Sequence, residues 1–165
     1  MDKSIKVILV ERVINLLSEK VKSLEESLTD INDAINNAPG AMQSHSDTTR
    51  SQLTSVMNTT HKILNEKNSE LGSLRNFSQM DLNKIKSEEA KIGVIVVLKK
   101  ENNVVENYFL LPGGSGVKLD HKGDKFICLT LASPLGKALV GKEKNKSFLF
   151  NVGGMSQRVT ILDLI

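Results

Sequence analysis

The chain has 165 residues, 39% of them hydrophobic, and 22 Lys and Arg against 19 Asp and Glu give it a net charge of +3. That length fits one ordinary domain or two small ones with a real core, which excludes a disordered chain, and the single cysteine, Cys128, excludes an internal disulfide framework and fits a reducing compartment. The charge is uneven: residues 1–89 hold 11 basic and 13 acidic side chains, a balance of −2, and residues 90–165 hold 11 and 6, a balance of +5. A basic half of this kind suits an acidic partner surface or a solvated lysine-rich face. The apolar run near the start is broken by Glu11 and Arg12, so it reads as neither a signal peptide nor a membrane span, and a cytoplasmic protein without membrane attachment is expected.

Ser4 can cap a helix that the pattern carries to about Asn37. Along it Val10, Ile14, Leu17, Val21, Leu24, Leu28, Ile31 and Ile35 step alternately by 4 and 3, the seam of a coiled coil. A second helix carries Leu53, Met57, Thr60, Leu64, Lys67, Leu71 and Leu74 in the same rhythm, with one polar and one charged interruption. The seams answer each other: Ile31 pairs with Leu53, Leu24 with Thr60, Ile14 with Leu71 and Val10 with Leu74, every pair summing to 84 or 85. A constant sum describes an antiparallel hairpin over residues 5–76 with its turn near residue 42. Pro39 and Gly40 break the first helix there, and Ser46 or Asp47 caps the second. At about 1.5 Å per residue, arms of roughly thirty residues make a rod about 45 Å long.

The tip gathers short polar residues, among them His45, Asp47 and Arg50. Two candidate ligands in a turn, His45 and Asp47, are too few for an independent metal site. His61 lies off the seam and reads as a surface residue. Residues 77–90 lose the heptad pattern and read as a linker. After it the period changes to that of strands: Lys91–Leu98 and Val104–Leu111 form a hairpin, and Phe126–Leu131, Phe148–Val152 and Arg158–Leu164 follow, the last two joined at Gly153-Gly154. Between the third and fourth strands, Ser133 can cap a short helix with Pro134 in its first position and Gly141 at its end. The expected fold is α+β, an N-terminal antiparallel coiled-coil hairpin (1–76) followed by an antiparallel sheet domain with one short helix (91–165).

Catalytic motifs are weak. Gly113, Gly114 and Gly116 follow a strand as a phosphate loop would, but residues 117–125 show no helical period to receive the anion. Cys128 alternates with Phe126 and Thr130 and reads as a buried structural thiol.

The run Phe126–Lys142, and above all Ser133-Pro134-x-Gly136-x-Ala138-Leu139-x-Gly141-Lys142, resembles the C-terminal domain of the bacterial Gre transcription elongation factors. Ile92-Gly93 before a Val-rich strand, Tyr108-Phe109 in the next strand and the closing Val159–Leu164 resemble it too. The resemblance implies an FKBP-like sheet domain that docks on RNA polymerase at its secondary channel, with Ser133, Pro134, Leu135 and Lys137 at the docking edge. It also implies a hairpin whose tip approaches the polymerase active site. In that family an Asp, followed three residues later by a Glu, helps hold a polymerase-bound Mg²⁺ for transcript cleavage, since a weakly held hard cation wants anionic oxygen ligands. Here Asp47 matches the first acid and Arg50 stands where the second should be. The expectation is therefore a polymerase-binding regulator that is not itself an enzyme. Docking is retained and cleavage stimulation is weak or lost, with no cofactor of its own beyond a shared polymerase Mg²⁺ at Asp47. It would meet nucleic acid only inside the polymerase complex and act as a monomer; activation and inhibition both remain open.

Two other classes compete. An FKBP-like sheet suggests a peptidyl-prolyl isomerase, whose pocket would have to come from Tyr108, Phe109, Phe126, Phe148 and Phe150. A structural coiled coil would dimerise through its seam, although the internal register already fills that seam.

Overall fold

Two long helices open the chain and a mixed β-sheet follows. The computed structural model describes residues 4–38 and 44–165, and for residues 44–47, 152 and 155 the backbone alone. Helix α1 spans Ile5–Asn37 and α2 spans Ser44–Ser78. The Ser4 carbonyl accepts the Ile8 N–H at 3.2 Å, so α1 starts at the expected cap. Helix α2 starts earlier than expected, and Ser46 and Asp47 lie in its first turn rather than ahead of it. Nothing between Ala41 and Leu71 is a Gly or Pro, so the sequence holds nothing to delay the helix until after Ser46.

The chain divides into two compact units. One is Asn15–Gly72; the other joins the first residues, up to Ile14, with Ser73–Ile165. Within Asn15–Gly72 the expected seam is the protected set. Leu17, Val21, Leu24 and Leu71 are buried, and Leu28, Ile31, Ile35, Leu53, Met57, Thr60, Leu64 and Lys67 are half-buried among mostly exposed neighbours. The two polar seam positions are accommodated locally. The Thr60 hydroxyl donates to the Val56 carbonyl at 2.9 Å, and Lys67 pairs with Glu70 at 2.6 Å.

The other unit holds β1 (Ile95–Lys100), β2 (Val105–Leu110), β3 (Lys118–His121), β4 (Asp124–Leu129), α3 (Pro134–Leu139), β5 (Ser147–Val152) and β6 (Met155–Leu164). They form one sheet in the order β3-β4-β2-β1-β6-β5. The α+β class is as expected, but the sheet has six strands rather than five and is mixed rather than antiparallel. The extra strand is β3, where Leu119 alone is buried and no apolar alternation announces it. Its two-residue turn to β4, Lys122-Gly123, has φ of 54° and 91°, the positive pair that tight hairpins need. Because this hairpin reverses the chain between them, β4 runs parallel to β2, with Tyr108 opposite Ile127 and Phe109 opposite Cys128.

Strand boundaries shift for local reasons. Strand β1 begins at Ile95 rather than Lys91 because residues 91–94 turn: Val94 N–H bonds the Lys91 carbonyl at 3.1 Å and Gly93 sits at φ 90°. Strand β4 stops at Leu129 rather than Leu131, since the Thr130 carbonyl is taken by the Ser133 N–H and hydroxyl. Strand β6 reaches back to Met155 because Gly153 and Gly154, at φ 58° and 84°, close the turn in two residues.

The pleat gives the sheet two apolar faces. On one, Val96, Leu98, Tyr108, Leu110, Leu129 and Ile161 join Leu139 of α3 and Ala90 in a buried cluster. On the other, Ile95, Phe109 and Cys128 line up across three strands beside Phe126 opposite Leu119, all buried. The helix ends in the same unit supply its cover. Leu9, Val10, Val13, Leu74 and Phe77 are buried, and the Arg12 guanidinium donates to the Asp120 carbonyl of β3. A Cβ on Gly93 would lie 3.2 Å from the Phe77 ring. Lys6 is also buried, its ammonium donating to the Ile85 carbonyl at 2.7 Å; burial, with a smaller contribution from the Lys86 charge, lowers its pKa. Residues 77–90, read as a linker, carry a 3₁₀ turn at Leu82–Lys84 and bury Phe77, Leu82 and Ala90.

Candidate functional site

Helix α3 is built by close backbone approach. The Ser133 hydroxyl donates to the Thr130 carbonyl at 2.7 Å and accepts the Gly136 N–H at 3.1 Å, an N-cap tied to the preceding strand. Pro134 occupies the first turn, where no N–H is needed. Gly136 is buried, and a Cβ there would meet the Thr130 carbonyl oxygen at 2.0 Å, so glycine alone fits. Gly141, at φ 71°, ends the segment, its N–H on the Ala90 carbonyl at 2.9 Å, and Ala90 N–H returns to the Lys142 carbonyl at 2.8 Å. The helix is thereby fixed at both ends, with Leu139 fully buried beneath it.

What this leaves outward is narrow. Pro134, Lys137 and Val140 are exposed at three-residue spacing, Val140 by 49%. Among the described residues Lys137 makes no ion pair. Nearby cations are engaged: Lys144 pairs with Asp163 at 2.6 Å, Lys146 with Glu143 at 3.8 Å, and Lys142 lies 4.9 Å over the Phe148 ring. Ser133 is half-buried with its hydroxyl in two bonds, and Leu135 packs against the core. Val140 escaped the sequence reading because an apolar residue before a helix stop looks like core. Its spacing of three from Lys137 was the available signal.

At the other candidate site, the side chains of His45 and Asp47 lie outside the described residues. Arg50 is exposed, and its Nη2 donates to the carbonyls of Ile35 at 3.3 Å and Ala38 at 3.2 Å. A cation bonded to backbone oxygens cannot also be a metal ligand, so Arg50 does not fit a shared Mg²⁺ site. Among the described residues no group of three or more His, Cys, Asp or Glu side chains is placed to hold a metal ion.

Glu106, Tyr108 and Cys128 are held by burial and by their neighbours in the sheet. Glu106 accepts from the Tyr108 hydroxyl and pairs with Lys100 at 2.6 Å. Burial acts to raise the Glu106 pKa, but the bonds from Lys100 and Tyr108, with the Lys100 and Lys118 charges, outweigh it and hold the carboxyl below its ordinary value. Burial and then Glu106 push Tyr108 upward, so neither group exchanges protons near neutrality. Burial pushes the Cys128 thiol up to about 12. At pH 8 a thiol reagent is therefore expected to leave the native protein unlabelled for as long as it stays folded, and to label one thiol once denaturant is added. Rapid native labelling would show that the second sheet face opens. Tyr108 and Phe109 point to opposite faces and, with Phe126, are buried, while Phe148 and Phe150 stand half-buried on the edge strand β5. These five aromatic side chains do not line one shared pocket.

No protein-family model and no curated protein matches the chain. Among solved structures, GreA factor homolog 1 (Gfh1) of Thermus thermophilus matches 94% of this chain and 94% of its own, at 14% identity and a TM-score of 0.39. Gfh1 of Thermus aquaticus covers 93% of this chain and 92% of its own, at 14% identity and 0.39. A prokaryotic transcription elongation factor GreA/GreB from Nitrosomonas europaea covers 59% and 78%, at 18% identity and 0.35. Among the described residues no helix is long and apolar enough to cross a membrane.

Proposed function

We propose that this protein is a transcription elongation regulator that binds RNA polymerase through the α3 edge and presents its helical hairpin to the enzyme's secondary channel. One observation carries the reading. The Ser133–Lys142 segment that resembles the Gre docking segment is rigidly built, with its serine, proline and two glycines each used to hold α3 so that Pro134, Lys137 and Val140 face outward. An exposed cation between two apolar surfaces suits an acidic, partly apolar partner patch. The protein acts by binding, as a monomer, and meets nucleic acid only within the polymerase complex. Arg50 in place of the second tip acid leaves cleavage stimulation weak or absent.

The test is a pull-down of purified RNA polymerase with the whole protein, run beside transcript cleavage in a halted, backtracked complex. Binding is expected, with cleavage unchanged or suppressed, and Lys137→Glu is expected to weaken binding about tenfold or more while leaving the melting temperature unchanged. Absence of binding by the parent protein would overturn the reading, and strong stimulation of cleavage would overturn its account of the tip. A prolyl isomerase is disfavoured by the burial of Tyr108, Phe109 and Phe126 on both sheet faces.

A further inference from the structure

Among the described residues helix α1 ends without a capping cation or glycine of its own. Its last turn contains no basic residue, although the negative end of a helix favours a cation there. The sequence Asn36-Asn37-Ala38 places no glycine at the stop, and the Ala38 N–H reaches the Ile35 carbonyl only at 3.4 Å. The missing cation comes from the other helix. Arg50 Nη2 bonds both the Ile35 carbonyl, in the last turn of α1, and the Ala38 carbonyl just past its end, the region where a helix's own N–H groups run out.

The register explains why this arginine is in reach. Counting back from Met57 and Leu53 by 4 and then 3 lands on Arg50, the next position of the seam on α2. Its opposite number by the constant sum is Ile35, since 50 and 35 make 85. Arg50 therefore holds the last seam position of the hairpin, where an apolar residue would be expected, and its guanidinium turns across onto the facing helix end. Its own backbone is tied into α2, with the Arg50 carbonyl accepting the Thr54 hydroxyl at 2.9 Å.

We propose that Arg50 is a latch: it caps the C-terminus of α1 from the opposite helix and locks the hairpin register at its distal end. The same position cannot then be read as a neutral vacancy left by a lost carboxylate. A carboxylate there would face two carbonyl oxygens at the negative end of α1, so charge reversal should open the end further than mere truncation does.

The test is amide hydrogen exchange on the full-length protein alone, comparing residues 34–38 with strands β1 and β2 as internal reference. Arg50→Ala is expected to speed exchange at residues 34–38 about three- to tenfold relative to the reference. Arg50→Lys, which keeps a cation but not the planar fork, should fall between the parent and Arg50→Ala, and Arg50→Glu should exceed Arg50→Ala. Raising the salt concentration should narrow the gap between the Ala and Glu variants. If all three variants exchange like the parent, there is no latch. If Ala and Glu are equally fast at low salt, the side chain acts by bulk rather than charge and the capping role is overturned. The measurement needs no polymerase, so its outcome is independent of whether the proposed function holds.

Discussion

Gly136→Ala is expected to destabilise the protein by about 1–3 kcal/mol and, with that loss, to weaken the proposed polymerase binding. The new Cβ would sit 2.0 Å from the Thr130 carbonyl oxygen and 2.9 Å from the Ser133 hydroxyl, and the oxygen belongs to backbone at the end of β4, which cannot swing aside. Relieving the overlap means lifting the first turn of α3. That forfeits the Ser133 cap, worth about 1 kcal/mol, and adds overpacking strain of roughly 1–3 kcal/mol. Alanine's better helix propensity returns only about 1 kcal/mol, so the sign is settled. Urea unfolding would show it as a lower midpoint at an unchanged slope. A variant as stable as the parent would mean that the strand end yields and that glycine is not required there.

The second large effect is expected for Phe109→Ala, at about 3–5 kcal/mol. Phe109 is fully buried and lies on β2 between Ile95 and Cys128, at the middle of the face covered by the ends of α1 and α2. Truncation leaves a hole bounded by strands on both sides, which can collapse only by shifting the helix ends. Against a typical total of 5–15 kcal/mol, such a loss brings the protein near its unfolding threshold at ordinary temperature. Thermal melting followed by circular dichroism would read it. The Cys128 thiol, now beside a void, should become reagent-accessible in the native state at the same time. A loss below about 1 kcal/mol would show that this face is not closely covered.

The hairpin was legible because burial there follows a single period. Both seams, the cap at Ser4 and the end at Asn37 could be read from spacing, and burial along each helix repeats that spacing. Strand β3 was not legible because an edge strand with one buried residue has no periodic signature. The parallel pairing of β2 with β4 followed from that omission, since without the inserted hairpin the chain has no means of running the same way twice. At the α3 edge the residue types were readable, but their division of labour was not. Ser133 is consumed in building the helix, and Val140 takes an outward place that only the turn geometry reveals. Arg50 was read by what it replaces, and its bonds to Ile35 and Ala38 depend on a cross-helix register that a motif comparison does not consider.

The segment Asn15–Gly72 is a compact unit of its own, and the other unit draws its residues from both sides of it in the sequence. Because its two seams pair by a constant sum, removing one heptad from each arm would keep every remaining partner matched while shortening the hairpin by about 10 Å. Length is thus a separable variable of this architecture, adjustable in whole heptads by matched insertions or deletions that leave the sheet, α3 and the Arg50 closure as they are.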